Sequence, residues 1–175
     1  MNIVVGFSRH PGFAPGSWLL CAAEGTPYSH AYIKIRSESL DRTLIYQATG
    51  IGVYFIGEAQ FLLRATPVEE YSFEISDAAK KTFLQKAIDK TGLPYSRMQV
   101  IGIGIMRLCA LFGKKISNPF KNGDKAYVCC ELVDAALCEL GLFPDDVDKD
   151  CIGLRDLRDH VKTLHDSLVT NNNTI

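Results

Sequence analysis

The sequence predicts an α+β fold in which an antiparallel sheet packs against helices. Short alternating and β-branched runs are concentrated between residues 3 and 75. Longer segments with helix caps and helix stops are concentrated after residue 76. Strands gathered early and helices gathered late, rather than a regular alternation of the two, are typical of the α+β class.

The predicted strands are runs bounded by turn residues, and they cover residues 3–7, 30–35, 43–48, 53–56 and 67–75. In the second run, alternation puts Ala31, Ile33 and Ile35 on one side of the pleat and His30 on the other. Short polar turns join the second, third and fourth runs. These three strands are therefore predicted to form an antiparallel meander.

The first predicted helices have start and stop signals. Ser17 is predicted to cap a short helix that ends at Gly25, and Ser76 to cap a longer one that ends at Gly92. The apolar positions of the longer helix are predicted to lie near one face: Ala79, Phe83, Ala87 and Ile88.

A chain of 175 residues is long enough to form one domain with its own core. No repeat or linker divides the sequence, so we predict a single domain over residues 1–170 and a frayed polar tail over residues 171–175. A polar loop is predicted at residues 117–125, and a charged stretch at residues 145–150 precedes a last helix near residues 154–168.

Composition and charge argue against several classes of function. The formal net charge of −1 provides no basic field, so nucleic acid is not predicted as the partner. The N-terminus lacks the basic segment and apolar run of a secretory signal, which predicts a cytoplasmic protein. In a reducing compartment the six cysteines are expected to be thiols, and their spacing predicts no metal site and no cofactor.

The strongest apolar stretch covers residues 98–112 and is interrupted by Arg107. At about fifteen residues it is shorter than the roughly 20 that a bilayer-spanning helix needs, so stable membrane insertion is not predicted. We interpret the stretch as a core helix that Gly102 and Gly104 weaken, with an interfacial face as the alternative.

Cys129 is the first candidate for chemistry because it directly precedes the helix predicted at residues 131–140. In the first turn of a helix, unpaired backbone N–H groups and the positive end of the dipole favour a thiolate. The same N–H groups are able to donate to an oxyanion. The alternative is that Cys129 and Cys130 are small buried residues at a packed helix start.

His30 and Gln47 lie on neighbouring predicted strands. His30 opens its strand, where a side chain can project from the sheet edge into a cleft and take a proton from a thiol. The amide of Gln47 could hold the far nitrogen of the His30 ring and fix its tautomer. A solvated His30 and an ordinary outward-facing Gln47 are the alternatives. The remaining histidines are predicted to be surface residues: His10, His160 and His165.

Four motifs follow one another along residues 28–133 and together resemble those of one enzyme group. They are YSHAYI at 28–33, IYQATGIGV at 45–53, GLPYS at 92–96 and CCELV at 129–133. They are similar, in order, to the S-H-x-x-I strand, the Y-E-A…G-V hairpin, the G-x-P-Y-D turn and the C-S-E-L-V motif of the YiiX-like group. This group belongs to the NlpC-type papain-fold superfamily and is circularly permuted, so its histidine strand precedes its cysteine helix.

This resemblance implies a circularly permuted papain-like fold and a set of site residues. Cys129 would be the nucleophile, His30 its base and Gln47 the residue that orients the imidazole. Tyr95 would line the site near the oxyanion. A metal ion is not part of this chemistry.

Three positions differ from the family pattern. Gln47 stands where a glutamate is usual, Ser96 where an aspartate is usual, and Cys130 where a serine is usual. A glutamine is chemically adequate as an orienting residue, so the resemblance still implies an enzyme.

The predicted reaction is attack of a thiolate on an amide, formation of an acyl-enzyme and its hydrolysis. A peptide or isopeptide bond, including one in a cell-wall peptide, is the leading substrate. A lipid acyltransferase or lipid amidase is the first alternative, with residues 101–112 forming an acyl groove. An inactive module that binds a peptide or acyl group in the same cleft is the second. The sequence predicts no oligomeric state.

Overall fold

A computed structural model describes residues 2–12, 15–114, 116–117, 119–120, 126–143 and 153–172. Within these ranges the chain forms five strands: β1 Asn2–Arg9, β2 His30–Ser37, β3 Arg42–Thr49, β4 Gly52–Gly57 and β5 Thr66–Glu74. The same ranges contain six helices: α1 Pro15–Glu24, α2 Glu58–Leu62, α3 Asp77–Lys90, α4 Arg97–Leu111, α5 Cys129–Glu139 and α6 Leu154–Asn172. The α+β class predicted from the sequence is confirmed.

The strands form one antiparallel sheet in the order β4-β3-β2-β1-β5. The predicted meander of β2, β3 and β4 is therefore confirmed. The pairing of β2 with β3 runs from Ser37 and Arg42 to Ile33 and Tyr46. Both strands are described throughout. Beyond this last pair, the first residues of β2, starting at His30, are no longer paired with β3.

One face of the sheet packs against α5 and forms the main hydrophobic core. Ala31, Ile33 and Ile35 of β2 are buried in this core, as their alternation predicts. Leu132 and Leu137 of α5 belong to the same core. Each large apolar side chain that is fully buried stabilises the fold by about 1.5–3 kcal/mol. α5 is therefore held firmly across the strands.

The opposite face of the sheet carries a smaller apolar cluster. Tyr32 and Ile45 pack there with Phe61 of α2, whose ring centroid lies 4.6 Å from that of Tyr32. The short helix α2 was not predicted from the sequence, because five residues give too little periodicity to separate a helix from a loop. This cluster covers the side of β2 that faces away from α5.

The turn at residues 92–96 is paired to the start of β4. The Val53 N–H donates to the Leu93 carbonyl at 2.9 Å, and the Gly92 N–H donates to the Val53 carbonyl at 2.8 Å. The backbone of the turn lies so close to Gly52 that a Cβ added there would be 2.7 Å from the Leu93 carbonyl oxygen. Glycine at position 52 is therefore required by this contact.

The same turn is paired to the segment that leads into α5. The Tyr127 N–H donates to the Pro94 carbonyl at 3.2 Å, and the Ser96 N–H donates to the Tyr127 carbonyl at 3.1 Å. Tyr95 forms an isolated bridge with Tyr127. These bonds hold Tyr95 close to the first turn of α5.

The prediction for α3 is confirmed at its cap and wrong at one apolar position. The Ser76 hydroxyl accepts a hydrogen bond from the Ala79 N–H at 3.1 Å. Phe83 and Ala87 are buried, whereas Ile88 is 63% exposed. Phe83 and Ala87 are four positions apart and share a face, but Ile88 is turned by about 100° from Ala87.

Two predicted helix boundaries are wrong. α1 begins at Pro15, so Ser17 lies inside the helix, and its hydroxyl is hydrogen-bonded to the hydroxyl of Ser29. α6 continues to Asn172, so its last two residues fall within the tail predicted at 171–175.

Two predicted environments differ in whole or in part. The helix α4 exposes Met98, Ile101 and Ile105, whereas Val100 of the same helix packs against the main core. His165 is half-buried, since its ring packs edge-on against Tyr71 and Phe73. A pattern of apolar residues predicts a helix but not which of its faces another element covers.

Several predicted features lie outside the described residues. They are most of the loop at residues 117–125, the charged stretch at residues 145–150 and the last part of the tail, residues 173–175. In the part of the chain that the structure describes, no helix combines the length and the apolar content needed to cross a membrane.

The Gly52 contact gives a stability prediction. Gly52 and Gly92 both have a positive φ, of 119° and 91°, but only Gly52 has a backbone oxygen in the way of a Cβ. Gly92→Ala is expected to lower the free energy of unfolding by about 1–2 kcal/mol, the cost of a left-handed conformation. Gly52→Ala should cost about 1–3 kcal/mol more, because the overlap forces the turn to move. Urea unfolding of both variants measures the difference, and equal losses would contradict the pairing of β4 with this turn.

Candidate active site

The imidazole of His30 is held by the side chain of Gln47. His30 is the first residue of β2, and Gln47 lies on β3 in the part where the two strands have separated. The Nε2–H of His30 donates to Oε1 of Gln47 at 2.8 Å. Gln47 is buried. The bond occupies one ring nitrogen and leaves Nδ1 available to face the thiol of Cys129.

Cys129 is the first residue of α5 and so lies in the first turn of the helix, as predicted, although the helix begins two residues earlier than expected. Its side chain is almost completely buried. Its sulfur has three hydrogen-bonding neighbours: the imidazole of His30, the thiol of Cys130 and the backbone N–H of Ala31. Ala31, like His30, lies on β2 beyond the last pair with β3, where β2 is still paired with β1. The structure therefore brings the predicted residues Cys129, His30 and Gln47 together in one row.

The surroundings of Cys129 stabilise its thiolate. The hydrogen bond from Cys130 is the largest reason that the pKa of Cys129 is well below its ordinary value. Burial acts in the opposite direction, but the hydrogen bond and charge of His30 and the Ala31 N–H add to the lowering. A sulfur that accepts three donors at a helix N-terminus is suited to carry a negative charge.

Cys130 has the opposite electrostatics. Donation to Cys129 and burial raise the pKa of Cys130 well above its ordinary value, and the charges of Glu131 and Glu24 add to the effect. The hydrogen bond from His30 goes to the thiol of Cys129. These opposite pKa directions favour a thiolate at position 129 and a protonated donor at position 130.

The pKa of His30 is raised above its usual value. Burial alone would lower it, but the hydrogen bond and negative charge of Cys129 outweigh burial, and Gln47 contributes a smaller increase. A lowered thiol pKa beside a raised imidazole pKa favours a thiolate–imidazolium pair.

The start of α5 is fixed by a buried carboxylate that the sequence analysis did not single out. Glu131 accepts hydrogen bonds from the Val128 N–H at 3.2 Å and from the side-chain amide of Gln99. Gln99 is fully buried on α4. A glutamate at the third position of a helix is a known capping signal, but the contribution of Gln99 depends on tertiary contact.

Tyr95 lies beside the two cysteines. It lines a small cavity together with Cys129, Leu20 of α1, Val100 of α4 and Val128, the residue before α5. Burial raises the pKa of Tyr95 well above its usual value, and the negative charge on Cys129 contributes. Its hydroxyl therefore stays protonated and can donate.

Tyr54 is a site residue that the sequence analysis missed. Its hydroxyl accepts hydrogen bonds from the amide nitrogen of Gln47 at 3.1 Å and from the hydroxyl of Thr49 at 3.3 Å. The available signal was its place on β4, directly opposite Gln47 in the register. Its role depends on a side-chain contact that strand alternation alone does not show.

Comparison with known proteins gives the chain no family. It matches no protein-family model, and it matches no curated protein. Among the described residues, no group of three or more His, Cys, Asp or Glu side chains is arranged to hold a metal ion. The roles of Cys129, His30, Gln47 and Tyr95 therefore remain predictions that rest on the site's geometry.

Replacing Gln47 tests its control over His30. Gln47→Glu is expected to raise the pKa of His30, because a nearby negative charge favours the imidazolium. The rate of Cys129 alkylation by iodoacetamide, measured against pH, should then keep its plateau over a wider pH range. The acid limb should move to lower pH and the basic limb to higher pH.

Gln47→Ala should free the ring and slow alkylation by roughly tenfold to a few hundredfold, or about 1.4–3.5 kcal/mol. Identical pH profiles for wild type, Gln47→Glu and Gln47→Ala would show that Gln47 has no influence on His30.

Replacing Cys130 tests the source of the lowered thiol pKa. Cys130→Ser keeps a donor next to Cys129 and should retain fast, selective alkylation near neutral pH. Cys130→Ala removes the donor, so the acid limb of the alkylation profile should move to higher pH. Peptide mass spectrometry identifies the alkylated residue, with Cys129→Ala as the negative control and Cys138→Ala as the neutral one. Loss of selective labelling in Cys130→Ser would mean that Cys130 is the reactive thiol.

Proposed function

We propose that this protein is a cysteine hydrolase that cleaves an amide bond through an acyl-enzyme, with Cys129 as nucleophile, His30 as base and Gln47 as orienting residue. The observation that carries the proposal is the row formed by the Cys129 thiol, the His30 ring and the Gln47 amide. A nucleophile next to a base that a third group orients is the general arrangement of covalent hydrolases.

In the first half of the reaction, the Cys129 thiolate attacks the carbonyl carbon, and the carbonyl electrons move to the oxygen. The backbone N–H of Cys129, at the start of α5, and the hydroxyl of Tyr95 are the proposed donors to this oxyanion. The imidazolium of His30 then protonates the leaving nitrogen as the carbon–nitrogen bond breaks. An amine departs, and the acyl group stays on sulfur as a thioester.

In the second half, neutral His30 takes a proton from water, and the resulting hydroxide attacks the thioester carbon. The carbon–sulfur bond breaks, a carboxylic acid leaves, and the thiolate–imidazolium pair is restored. Gln47 accepts the Nε2–H throughout, so Nδ1 faces the reacting atoms in both halves.

The family proposal is that the chain has the circularly permuted papain-like fold of the YiiX-like group. The order of the elements supports it, since the histidine strand β2 precedes the cysteine helix α5. The hydrogen bonds of the turn at residues 92–96 to Val53 and Tyr127 also support it, because they connect two of the four motifs with the segment that leads into a third.

A lipid acyltransferase or lipid amidase is the second candidate. It is supported by the apolar side chains that α4 exposes, Met98, Ile101 and Ile105, while Val100 of the same helix lines the cavity at Cys129. An acyl chain lying along α4 would reach the thiolate from the side of Tyr95. Both candidates form a thioester on Cys129. They differ in the acyl group that the thioester carries, which comes from a peptide in one case and from a lipid in the other.

Trapping the acyl-enzyme tests the proposal. The protein is incubated with a peptide amide, an isopeptide, a long-chain acyl ester and a thioester, and its intact mass is measured after rapid acid quenching. A mass increase equal to the acyl group, on the peptide that contains Cys129, is expected for one substrate class. Cys129→Ala should give no adduct, and Cys138→Ala should behave as wild type. An adduct that persists in Cys129→Ala would refute Cys129 as the nucleophile, and turnover without any adduct would refute the acyl-enzyme.

A further inference from the structure

Helix α4 turns apolar side chains toward solvent and buries a polar one. Met98, Ile101 and Ile105 are exposed, whereas the side chain of Gln99 is fully buried. Because a helix turns by about 100° per residue, the three exposed side chains fall within about 60° of one another and form a single stripe. A surface helix of a globular protein normally has the opposite arrangement, with polar residues toward water.

The segment that follows α4 extends the stripe. Phe112 comes directly after the last helical residue and seven positions after Ile105, about two helical turns further on, and its ring is 77% exposed. The Lys114 N–H donates to the Cys109 carbonyl at 3.0 Å, and Gly113 has a positive φ of 73°. This C-terminal turn holds Phe112 and the exposed Lys114 at the end of the helix.

Helix α1 adds an aromatic residue next to α4. The two helices pack against each other, and α1 exposes Trp18. Tryptophan is enriched where lipid chains meet water, because its ring is apolar and its N–H is polar. Both helices also line the cavity at Cys129, through Leu20 of α1 and Val100 of α4.

The charges of this part of the chain are basic. The whole chain has a net charge of −1, but residues 97–121 contain five Lys or Arg residues and no Asp or Glu. The one acidic residue of α1, Glu24, is buried, so neither helix presents a carboxylate to solvent. An apolar stripe bordered by cations is complementary to the surface of an anionic bilayer.

We propose that one face of the molecule docks on the surface of an anionic lipid bilayer. This α1–α4 face consists of five exposed side chains: Trp18, Met98, Ile101, Ile105 and Phe112. The helix α4 would lie in the plane of the interface, since its 15 residues are too few to cross a bilayer. Lys114 would reach the headgroups.

The inference goes beyond the proposed hydrolase, because docking does not require Cys129 to react. It would bring two of the helices that line the cavity at Cys129 to the membrane.

Vesicle flotation and the fluorescence of Trp18 test the proposal together. Trp18 is the only tryptophan of the chain, so its emission reports on this face alone. The probe vesicles contain phosphatidylcholine and phosphatidylglycerol in equal parts, and the comparison vesicles contain phosphatidylcholine alone. The protein is expected to float with the anionic vesicles, and its emission should move to shorter wavelength and become shielded from acrylamide. Added salt should weaken this binding.

A double variant tests the apolar stripe. Ile101→Gln/Ile105→Gln removes two exposed side chains and is expected to bind anionic vesicles more weakly by roughly tenfold or more. Leu40→Gln/Ile88→Gln is the matched control, because it removes two aliphatic side chains that are 61% and 63% exposed from the turn between β2 and β3 and from α3. The control should bind as wild type does.

A lysine variant tests the charge. Lys114→Gln should weaken binding to anionic vesicles by about fivefold and leave the behaviour toward phosphatidylcholine vesicles unchanged. Lys86→Gln removes an exposed lysine from α3 and is the control.

Three results would overturn the docking face. They are no binding to anionic vesicles, equal binding to both kinds of vesicle, and binding that Ile101→Gln/Ile105→Gln does not weaken. Size-exclusion chromatography covers the other occupant. A dimer that this variant dissociates, in a protein that does not bind vesicles, would assign the face to a second copy of the chain.

The outcomes are separable from those of the proposed function. Cys129→Ala should dock as wild type does. Vesicle binding by a protein whose Cys129 is not selectively alkylated would support the docking face and count against the hydrolase. Selective alkylation without vesicle binding would overturn the docking face and leave the hydrolase proposal intact.

Discussion

The separation of β2 from β3 beyond Ile33 and Tyr46 is the constraint on which the site depends. A backbone N–H that leaves a sheet ladder needs another acceptor, because an unpaired buried donor is costly. At Ala31 that acceptor is the sulfur of Cys129. The same parting leaves room for the ring of His30 to meet Gln47. One backbone amide thus ties the thiol to the strand that carries its base, and the relative position of thiol and imidazole follows from the sheet.

The start of α5 must be held equally well for this arrangement to persist. The helix is buried over most of its length, and the Glu131 carboxylate binds the Val128 N–H at its beginning. A buried carboxylate is expensive unless its oxygens are hydrogen-bonded, and Gln99 from α4 provides a further donor. The bridge between Tyr95 and Tyr127 fixes the preceding segment. Packing sets the position of the helix, and polar contacts set where it begins.

The electrostatics of the site differ from those of a triad with an acidic third member. Gln47 is neutral, so it fixes the direction of the His30 ring without lending charge to an imidazolium. Stabilisation of the ion pair comes instead from the thiolate side, where Cys130 and the Ala31 N–H both donate to Cys129. Gln47 contacts the imidazole and Cys130 contacts the thiol, so the two side chains act on opposite members of the same thiol–imidazole pair.

Much of the local structure was determined by the sequence itself. Alternation defined which residues of β2 enter the core, Ser76 defined the start of α3, and the apolar run after Cys129 defined α5. These features depend on neighbours within one or two turns or strands, so residue order contains them. The tertiary structure decided which face of α4 is exposed, why Ile88 is outside the core, and which hydroxyl meets the Gln47 amide. It also decided that Ala31 gives its N–H to Cys129. Each of these depends on a contact between segments far apart in the chain, and local periodicity carries no information about the distance between such segments.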